Sequence, residues 1–270
     1  MKKKHFDQHT HTSFSYDVEP GSTVAGLTEA AIEKGLAGIT VTEHYDPLWP
    51  DDEEPAALDL PAYEAALDEA EGIYSERIRF GKGIELGLKP GEAIDICEAA
   101  LARYPYDFVI GSSHSSNVTH FDCPAFHEGR GLPDIIDEYY TLFLESIKAF
   151  KDYDVLGHIN YIDRFTEGYA PEGLYMPYVD ELLRVAIQDG KGIEYNTSTW
   201  RFNMADRGTP TLPMLRRYRE LGGEIVTIGS DSHGIANVGA FIENGEEVLL
   251  AEGFRYFAAF KGRRAEFHRL

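Results

Sequence analysis

Short runs of apolar residues alternate along the chain with longer stretches whose apolar positions recur every three to four residues. Runs of about 4–8 residues with few polar interruptions suit strands buried on both faces. They cover Lys4–His9, Ala37–Thr42, Ile78–Leu86, Asp107–Ser112, Asp154–His158, Gly192–Asn196 and Glu224–Ser230. The helical segments between and after them are Thr23–Lys34, Pro61–Glu76, Pro90–Arg103, Pro133–Phe150, Pro177–Asp189, Pro210–Leu221 and Glu243–Glu252. Proline at the start of several of these fits a first helical turn, where its missing N–H is not needed. Gly35, Gly190 and Gly222 stand where left-handed C-caps belong. Repeated strand–helix units predict parallel strands in a closed or nearly closed α/β barrel, with an open doubly wound sheet as the alternative. No linker or shift of composition divides the pattern, so residues 1–270 read as a single domain. The connections Tyr45–Leu60, Ser115–Leu132 and Ile159–Met176 are long for a compact domain, and such loops are commonly functional.

Composition narrows the partners. Hydrophobic residues make up 43% of the chain, enough for a sizeable core, and 25 Lys+Arg against 46 Asp+Glu leave a formal net charge of −21. That excess of acid argues against nucleic acid as a bulk partner, since coating a duplex needs clustered basic residues. No apolar run of about 18 residues is present to span a bilayer, and the opening Met1-Lys2-Lys3-Lys4 leads into His5-Phe6-Asp7, unlike a signal peptide. The expectation is a cytoplasmic protein without a membrane partner. The acid run Asp51-Asp52-Glu53-Glu54 reads as a solvated exterior. Two cysteines, Cys97 and Cys123, form no disulfide framework and no thiolate zinc site, so any metal falls to imidazole and carboxylate.

Six of the ten histidines fall at carboxyl ends of predicted strands, where a barrel gathers its active-site side chains. His9 and His11 are spaced by two, which points both rings to one face of an extended chain. His44, His114 and His158 close the second, fourth and fifth strands, and Asp231-Ser232-His233 follows the seventh. A lone histidine is usually a hydrogen-bonded core or surface residue. Six converging on one mouth would lack partners unless cations organised them. Glu85, Asp17 and Asp231 lie at the same level, and this donor set exceeds what one zinc needs, which implies a multinuclear site. Mixed imidazole and carboxylate suit zinc, manganese or iron alike. Of the remaining histidines, His5 and His268 are near the termini, and His120 and His127 in the loop after the fourth strand read as surface residues.

The segments His9-Thr10-His11-Thr12, Thr42-Glu43-His44, Gly83-Ile84-Glu85, Gly111-Ser112-Ser113-His114, Gly157-His158 and Gly229-Ser230-Asp231-Ser232-His233 resemble, in order and over nearly the whole chain, the polymerase-and-histidinol-phosphatase (PHP) family, specifically its histidinol-phosphate phosphatases. The resemblance implies a distorted (β/α)7 TIM-like barrel with three divalent metal ions. It implies His9, His11, Glu85 and Asp231 around the first ion, Glu85, His114 and His158 around the second, and Asp17, His44 and His233 around the third, with Glu85 as bridge. Glu85, Asp231 and His233 would then be catalytic. The implied substrate is a small phosphate monoester, L-histidinol phosphate, in the dephosphorylation step of histidine biosynthesis.

Two cations about 3.5–4 Å apart hold a bridging hydroxide at neutral pH and clamp both oxygens of an in-line displacement, so the expected mechanism is direct attack of such a hydroxide on phosphorus. Phosphate oxygens match the fork of an arginine. Arg164, six residues past His158, and Arg201, after Asn196-Thr197-Ser198-Thr199-Trp200, are the candidates; Thr199-Trp200 departs from the commoner Asn-Thr-Ser-Gly of the family. Asp122, Asp163 and Glu194 are candidate acids for a substrate amine. Cys97 and Arg103 have the spacing of cysteine phosphatases but lie in an alanine-rich helical segment without a glycine loop to cradle phosphate. The alternatives are a related phosphoesterase acting on another small phosphate, a nucleotide or a short oligonucleotide, a metal-dependent amide or ester hydrolase, and a non-catalytic metal-binding regulatory protein.

Overall fold

The computed structural model describes residues 5–49, 57–202, 204 and 207–270; Lys4, with which the first expected strand begins, and the acid run at 51–54 lie outside them. The strands are β1 (Phe6–Asp7), β2 (Gly38–Tyr45), β3 (Arg79–Gly87), β4 (Phe108–Ser112), β5 (Val155–Leu156), β6 (Gly192–Asn196), β7 (Val226–Gly229), β8 (Tyr256–Lys261) and β9 (Arg264–Arg269). The helices are α1 (Val24–Glu33), α2 (Leu60–Tyr74), α3 (Glu92–Arg103), α4 (Pro124–His127), α5 (Leu132–Ala149), α6 (Glu172–Gln188), α7 (Leu212–Glu220) and α8 (Ile242–Ala251). Strands β1 to β7 pair in sequence order, all parallel. The two edges of this sheet meet, because the Gln8 N–H donates to the Ile228 carbonyl, Asp231 N–H to His9 and His11 N–H to Ser232. The predicted barrel is therefore present, and the open sheet is not.

Local chemistry sets the helix starts. Thr23, Asp59 and Thr211 accept hydrogen bonds from the N–H groups of Gly26, Ala62 and Met214, each satisfying a donor of the first turn. Each helix then buries one stripe against the sheet. On α5 the stripe includes Tyr139, Phe143 and Ile147, all fully buried, and each is worth roughly 1.5–3 kcal/mol relative to exposure. At the helix ends, Gly35 and Gly190 adopt φ of +78° and +70°, as a left-handed cap requires.

The structure departs from the predicted pattern in four places. Helix α6 begins at Glu172, so Pro177 lies inside it rather than opening it; a proline near the start of a helix removes only one hydrogen bond, which the buried stripe Tyr175, Val179, Leu182 and Leu183 outweighs. Strands β1 and β5 are only two residues long, because donors beyond them are used elsewhere: the His158 N–H donates to the Glu194 side chain and the Thr10 N–H to Thr42 Oγ1. His44 lies inside β2 rather than past its end, as a direct cross-strand partner of Glu85, which lies inside β3 as expected. Finally, the chain continues beyond α8 into an antiparallel hairpin, β8–β9, turned at Gly262-Arg263, both at positive φ as a two-residue hairpin loop favours. Phe260 stacks on Phe108, and with Ala258, Ile110 and Val155 forms a small second core around the amino-terminal halves of β4 and β5. That end is thereby covered, and the carboxyl ends of the strands are left for chemistry. Among the described residues no helix is long and apolar enough to cross a membrane.

Candidate metal centre

The six strand-end histidines converge. Thr10, between His9 and His11, is tied by its N–H and hydroxyl to Thr42 and Thr40 of β2, while the flanking peptides bond to Asp231 and Ser232. This holds both rings on one side of the extended segment. His11 stacks on His44 with ring centroids 4.0 Å apart and lies 4.4 Å from His233. Asp231 reaches its position through a left-handed backbone, φ +53°, a conformation costing about 1–2 kcal/mol for a residue with a side chain.

Glu85 is at the centre and fully buried. Its Oε2 lies 3.2 Å from His9 Nε2, 3.6 Å from His11 Nε2 and 2.8 Å from His44 Nδ1. Its Oε1 lies 2.9 Å from His158 Nε2 and 3.4 Å from His114 Nε2. On one side Asp231 Oδ1 stands 3.3 Å from His11 Nε2 and 3.7 Å from His9 Nε2. On the other, Asp17 Oδ2 stands 3.0 Å from His233 Nε2 and 3.8 Å from His44 Nε2, and those two nitrogens are 3.3 Å apart. All nine candidate ligands thus occupy one cluster. The sets whose donor atoms lie close enough to share an ion are His9 with His11 and Asp231, His9 with Glu85 and His158, His11 with His44 and His233, and His44 with His114 and a further acid, Asp46.

Electrostatics fits a cation site. Burial alone would raise the Glu85 carboxyl, but the imidazoles of His9, His114 and His44 hold it well below the usual carboxylate range. Asp231 is held low in the same way, against burial, by His9, His11 and Arg164. Burial and the neighbouring His44 and His233 push His11 well below an ordinary imidazole, leaving it neutral with a lone pair to offer. Among the described residues, His9 Nε2, His11 Nε2 and Glu85 Oε2 are buried without a hydrogen-bond partner. Each such atom costs about 1–3 kcal/mol if left so. A divalent cation is the group these converging lone pairs fit.

A further layer of carboxylates orients the rings. Glu194, 1% exposed, accepts from His9 Nδ1 at 2.6 Å with one oxygen and from the His158 N–H and Asn196 Nδ2 with the other. Fixing the proton on Nδ1 turns the His9 Nε2 lone pair toward the cluster. Asp46 does the same for His114, 2.8 Å from its Nδ1. Asp7 accepts from the Ser230 N–H and hydroxyl and from the Gly239 N–H, fixing the turn that carries Asp231. Two glycines leave the space: a Cβ on Gly229 would lie 2.3 Å from His9 Cβ and 2.5 Å from Glu194 Oε1, and one on Gly87 would lie 1.7 Å from Asp46 Oδ1.

The cluster forms the floor of a cavity of about 420 Å³, whose wall includes Arg164, Tyr16, Tyr161, Phe202 and Asp122. Arg164 Nη2 donates to Ser198 and Asp231, its Nε is buried without a partner, and its guanidinium lies about 5 Å from the rings of Tyr161 and Phe202. Arg201 differs from expectation: its two terminal nitrogens donate to the carbonyls of Ser230 and Asp231, and it is not among the described residues lining the cavity. The geometry makes it a clamp on the left-handed turn at Asp231. Two candidate amine-binding acids are also engaged elsewhere. Glu194 serves His9, and buried Asp163 pairs with Arg207 at 2.7 Å; Asp122 alone of the three faces the cavity.

The residues set aside in the sequence stay apart from the cluster. Cys97 is buried on α3, where burial pushes its thiol up to about 12, and Arg103 pairs with Glu64. His5 bonds to Glu246, His127 to the Phe121 carbonyl, and His268 packs between Phe6 and Phe257. His120 stacks on Trp49 with centroids 3.6 Å apart. Glu194 carries its own signal, an acid in the otherwise buried strand Gly192–Asn196, but its role needed the partner to be seen.

Comparison with known proteins agrees with this geometry. The PHP domain model matches residues 7–198. A Clostridium acetobutylicum protein named "Probable histidinol-phosphatase" is 30% identical over 243 residues, covering 88% of this chain and 90% of that one. The Lactococcus lactis histidinol-phosphatase is 28% identical over 282 residues, covering 98% and 97%. A crystal structure of the L. lactis histidinol phosphate phosphatase, complexed with zinc, L-histidinol and phosphate, superposes with a TM-score of 0.88 at 25% identity and covers 97% of this chain and 99% of that one. The chain belongs to the PHP family.

Proposed function

We propose that the chain, as one catalytic domain over residues 1–270, hydrolyses L-histidinol phosphate to L-histidinol and phosphate with three divalent metal ions. The observation that carries this is the gathering of eight imidazole and carboxylate residues around buried Glu85, with Arg164 on the wall of the same cavity. His9, His11, Glu85 and Asp231 would hold one ion, Glu85, His114 and His158 a second, and Asp17, His44 and His233 a third. Zinc, iron and manganese all suit this donor set; the L. lactis relative was crystallised with zinc. Bound ions supply a water acidic enough to ionise near neutrality and a Lewis-acid clamp for phosphoryl oxygens.

The chain's own residues do the rest. Arg164 offers its guanidinium to the phosphate from the cavity wall, while its Nη2 bonds to Ser198 and Asp231 fix the group. Asp231, ionised, would offer Oδ1 to the ion held with His9 and His11, while its Oδ2 accepts from Arg164 and Asn196 and so ties the phosphate-facing arginine to the centre. His233 Nε2, paired with Asp17, stands on the cavity side, 29% exposed, where the ester oxygen leaves. Glu194 and Asp46 keep His9 and His114 in the tautomer the site requires. The test is a turnover panel with metal-loaded protein: histidinol phosphate, other small phosphomonoesters, a nucleotide, a phosphodiester, an oligonucleotide and an amide. Histidinol phosphate should give the highest kcat/KM. Preference for a diester or amide would overturn the reading.

A further inference from the structure

The cavity has two chemically different ends. Its floor is the imidazole cluster with Arg164, suited to the phosphate. Three carboxylates line it among the described residues, Asp17, Asp122 and Asp231. Asp17 and Asp231 lie within 4 Å of the cluster imidazoles. Asp122 stands apart from the cluster. Its side chain is 50% exposed, and its ion-pair contact among the described residues is with His120 Nδ1 at 3.7 Å, beyond hydrogen-bond distance. Tyr16 and Tyr161 line the same cavity as Asp122.

The backbone that carries Asp122 is well fixed. Phe121 is fully buried, its N–H donates to the His114 carbonyl, and Ser115 and His120 form an antiparallel bridge. His120 is stacked on Trp49, and the Phe121 carbonyl accepts from His127. Asp122 is thus held on the wall beside the end of β4, at a boundary shared with a second hollow lined by Glu128, Arg130 and Glu167. A preorganised carboxylate pairs with a cation without first ordering itself. The exposed rings of Tyr16 and Phe202 add electron-rich faces that attract the same charge.

We infer that Asp122 is the anionic anchor for a cationic leaving group, holding the ammonium of an amino-alcohol phosphate at the rim, against Tyr16 and Tyr161, while the phosphate occupies the floor. This rests on the reading of the site as a phosphomonoesterase and adds the source of its selectivity for charge. Asp122 is a specificity residue that does not touch phosphorus, so replacing it leaves hydrolysis of uncharged esters intact.

The experiment compares metal-loaded parent and Asp122→Asn protein on histidinol phosphate, on phosphoethanolamine against glycerol phosphate, and on p-nitrophenyl phosphate, with calorimetric titration of L-histidinol in the presence of inorganic phosphate. In Asp122→Asn, kcat/KM should fall about tenfold for cationic esters, mostly in KM, as befits loss of one partly shielded charge-assisted contact. The affinity for L-histidinol should fall by a similar factor, and p-nitrophenyl phosphate turnover should stay within twofold. Parallel losses on cationic and neutral esters, or no loss on either, would overturn the assignment. Failure of the substrate reading looks different. If the parent prefers phosphoethanolamine over both histidinol phosphate and glycerol phosphate, and Asp122→Asn removes the preference over glycerol phosphate, the anchor stands and the named substrate does not. If the parent shows no preference for any cationic ester, both fall.

Discussion

Glu194→Gln tests the logic of the centre without touching a metal ligand. The carboxylate has three donors to satisfy: His9 Nδ1 at 2.6 Å, the His158 N–H at 3.0 Å and Asn196 Nδ2 at 3.1 Å. A glutamine of the same shape has one acceptor oxygen, so its NH2 must face either His9 Nδ1 or the pair formed by the His158 N–H and Asn196 Nδ2. In the second case a buried donor meets donors, at a cost of about 1–3 kcal/mol. In the first, His9 must move its proton to Nε2, the atom that faces Glu85 and Asp231, and ceases to be a ligand. Either route removes about 1.4–2.8 kcal/mol from cation binding, or tenfold to a hundredfold in affinity, in line with the effect of removing the outer partner of a metal-ligating histidine. The assay is competition for Zn²⁺ against a chromophoric chelator, with activity followed as a function of free metal. The variant should need at least tenfold more metal for half-activity and recover much of its turnover at saturation. Metal affinity within twofold of the parent, with the fold intact by circular dichroism, would refute the claim that Glu194 sets the tautomer of His9.

Three further outcomes are expected. Glu85→Gln should lose bound metal and activity together, as read by elemental analysis beside turnover, because one amide oxygen cannot replace the two carboxylate oxygens reached by five imidazoles; retention of both would reject the central role of Glu85. Arg164→Lys keeps the charge but loses the planar fork, so kcat/KM for phosphomonoesters should fall about tenfold to a hundredfold while metal content stays unchanged. Extensive dialysis against a strong chelator should lower the melting temperature by about 5–10 °C, since a ligand present at 100 times its Kd contributes about 2.7 kcal/mol and a chain of this size shifts by about 2–4 °C per kcal/mol; an unaltered melting curve after complete metal removal would contradict the cost assigned to the unpartnered His9, His11 and Glu85 atoms.

Much of the barrel and of the candidate cluster was legible because both leave periodic marks. A strand buried on both faces must be apolar throughout, and a ligand must sit where that run ends, so His114, His158 and Asp231 could be placed from their neighbours alone. The hairpin β8–β9 was not seen, because Tyr256-Phe257-Ala258-Ala259-Phe260 follows a helix without the strand–helix rhythm of the rest, and its partner strand, with exposed Arg264, Glu266 and Arg269, reads as a polar tail. Pro177 misled because a proline that opens a helix and one tolerated a turn further in look alike in sequence. For Arg201, proximity in sequence to the site says nothing of which way a guanidinium turns, and in the structure its terminal nitrogens donate to the carbonyls of Ser230 and Asp231.

The carboxylates that orient the rings escape sequence reasoning for a deeper reason. A ligand is defined by its own position, but Glu194 and Asp46 are defined by a relation between distant segments: Glu194 meets a histidine 185 residues before it, and Asp46 one 68 residues after it. Each relation also depends on something missing, the side chains that Gly229 and Gly87 do not have. Any larger residue at Gly229 would collide with both His9 and Glu194, so that glycine belongs to the metal centre as much as the acid does, although it offers no donor atom. The same view explains why β1 and β5 stop after two residues. Beyond them Gln8 and Gly157 still bond to neighbouring strands, but the Thr10 N–H turns to Thr42 Oγ1 and the His158 N–H to Glu194, so the irregularity of the barrel at its open end comes with building the site there.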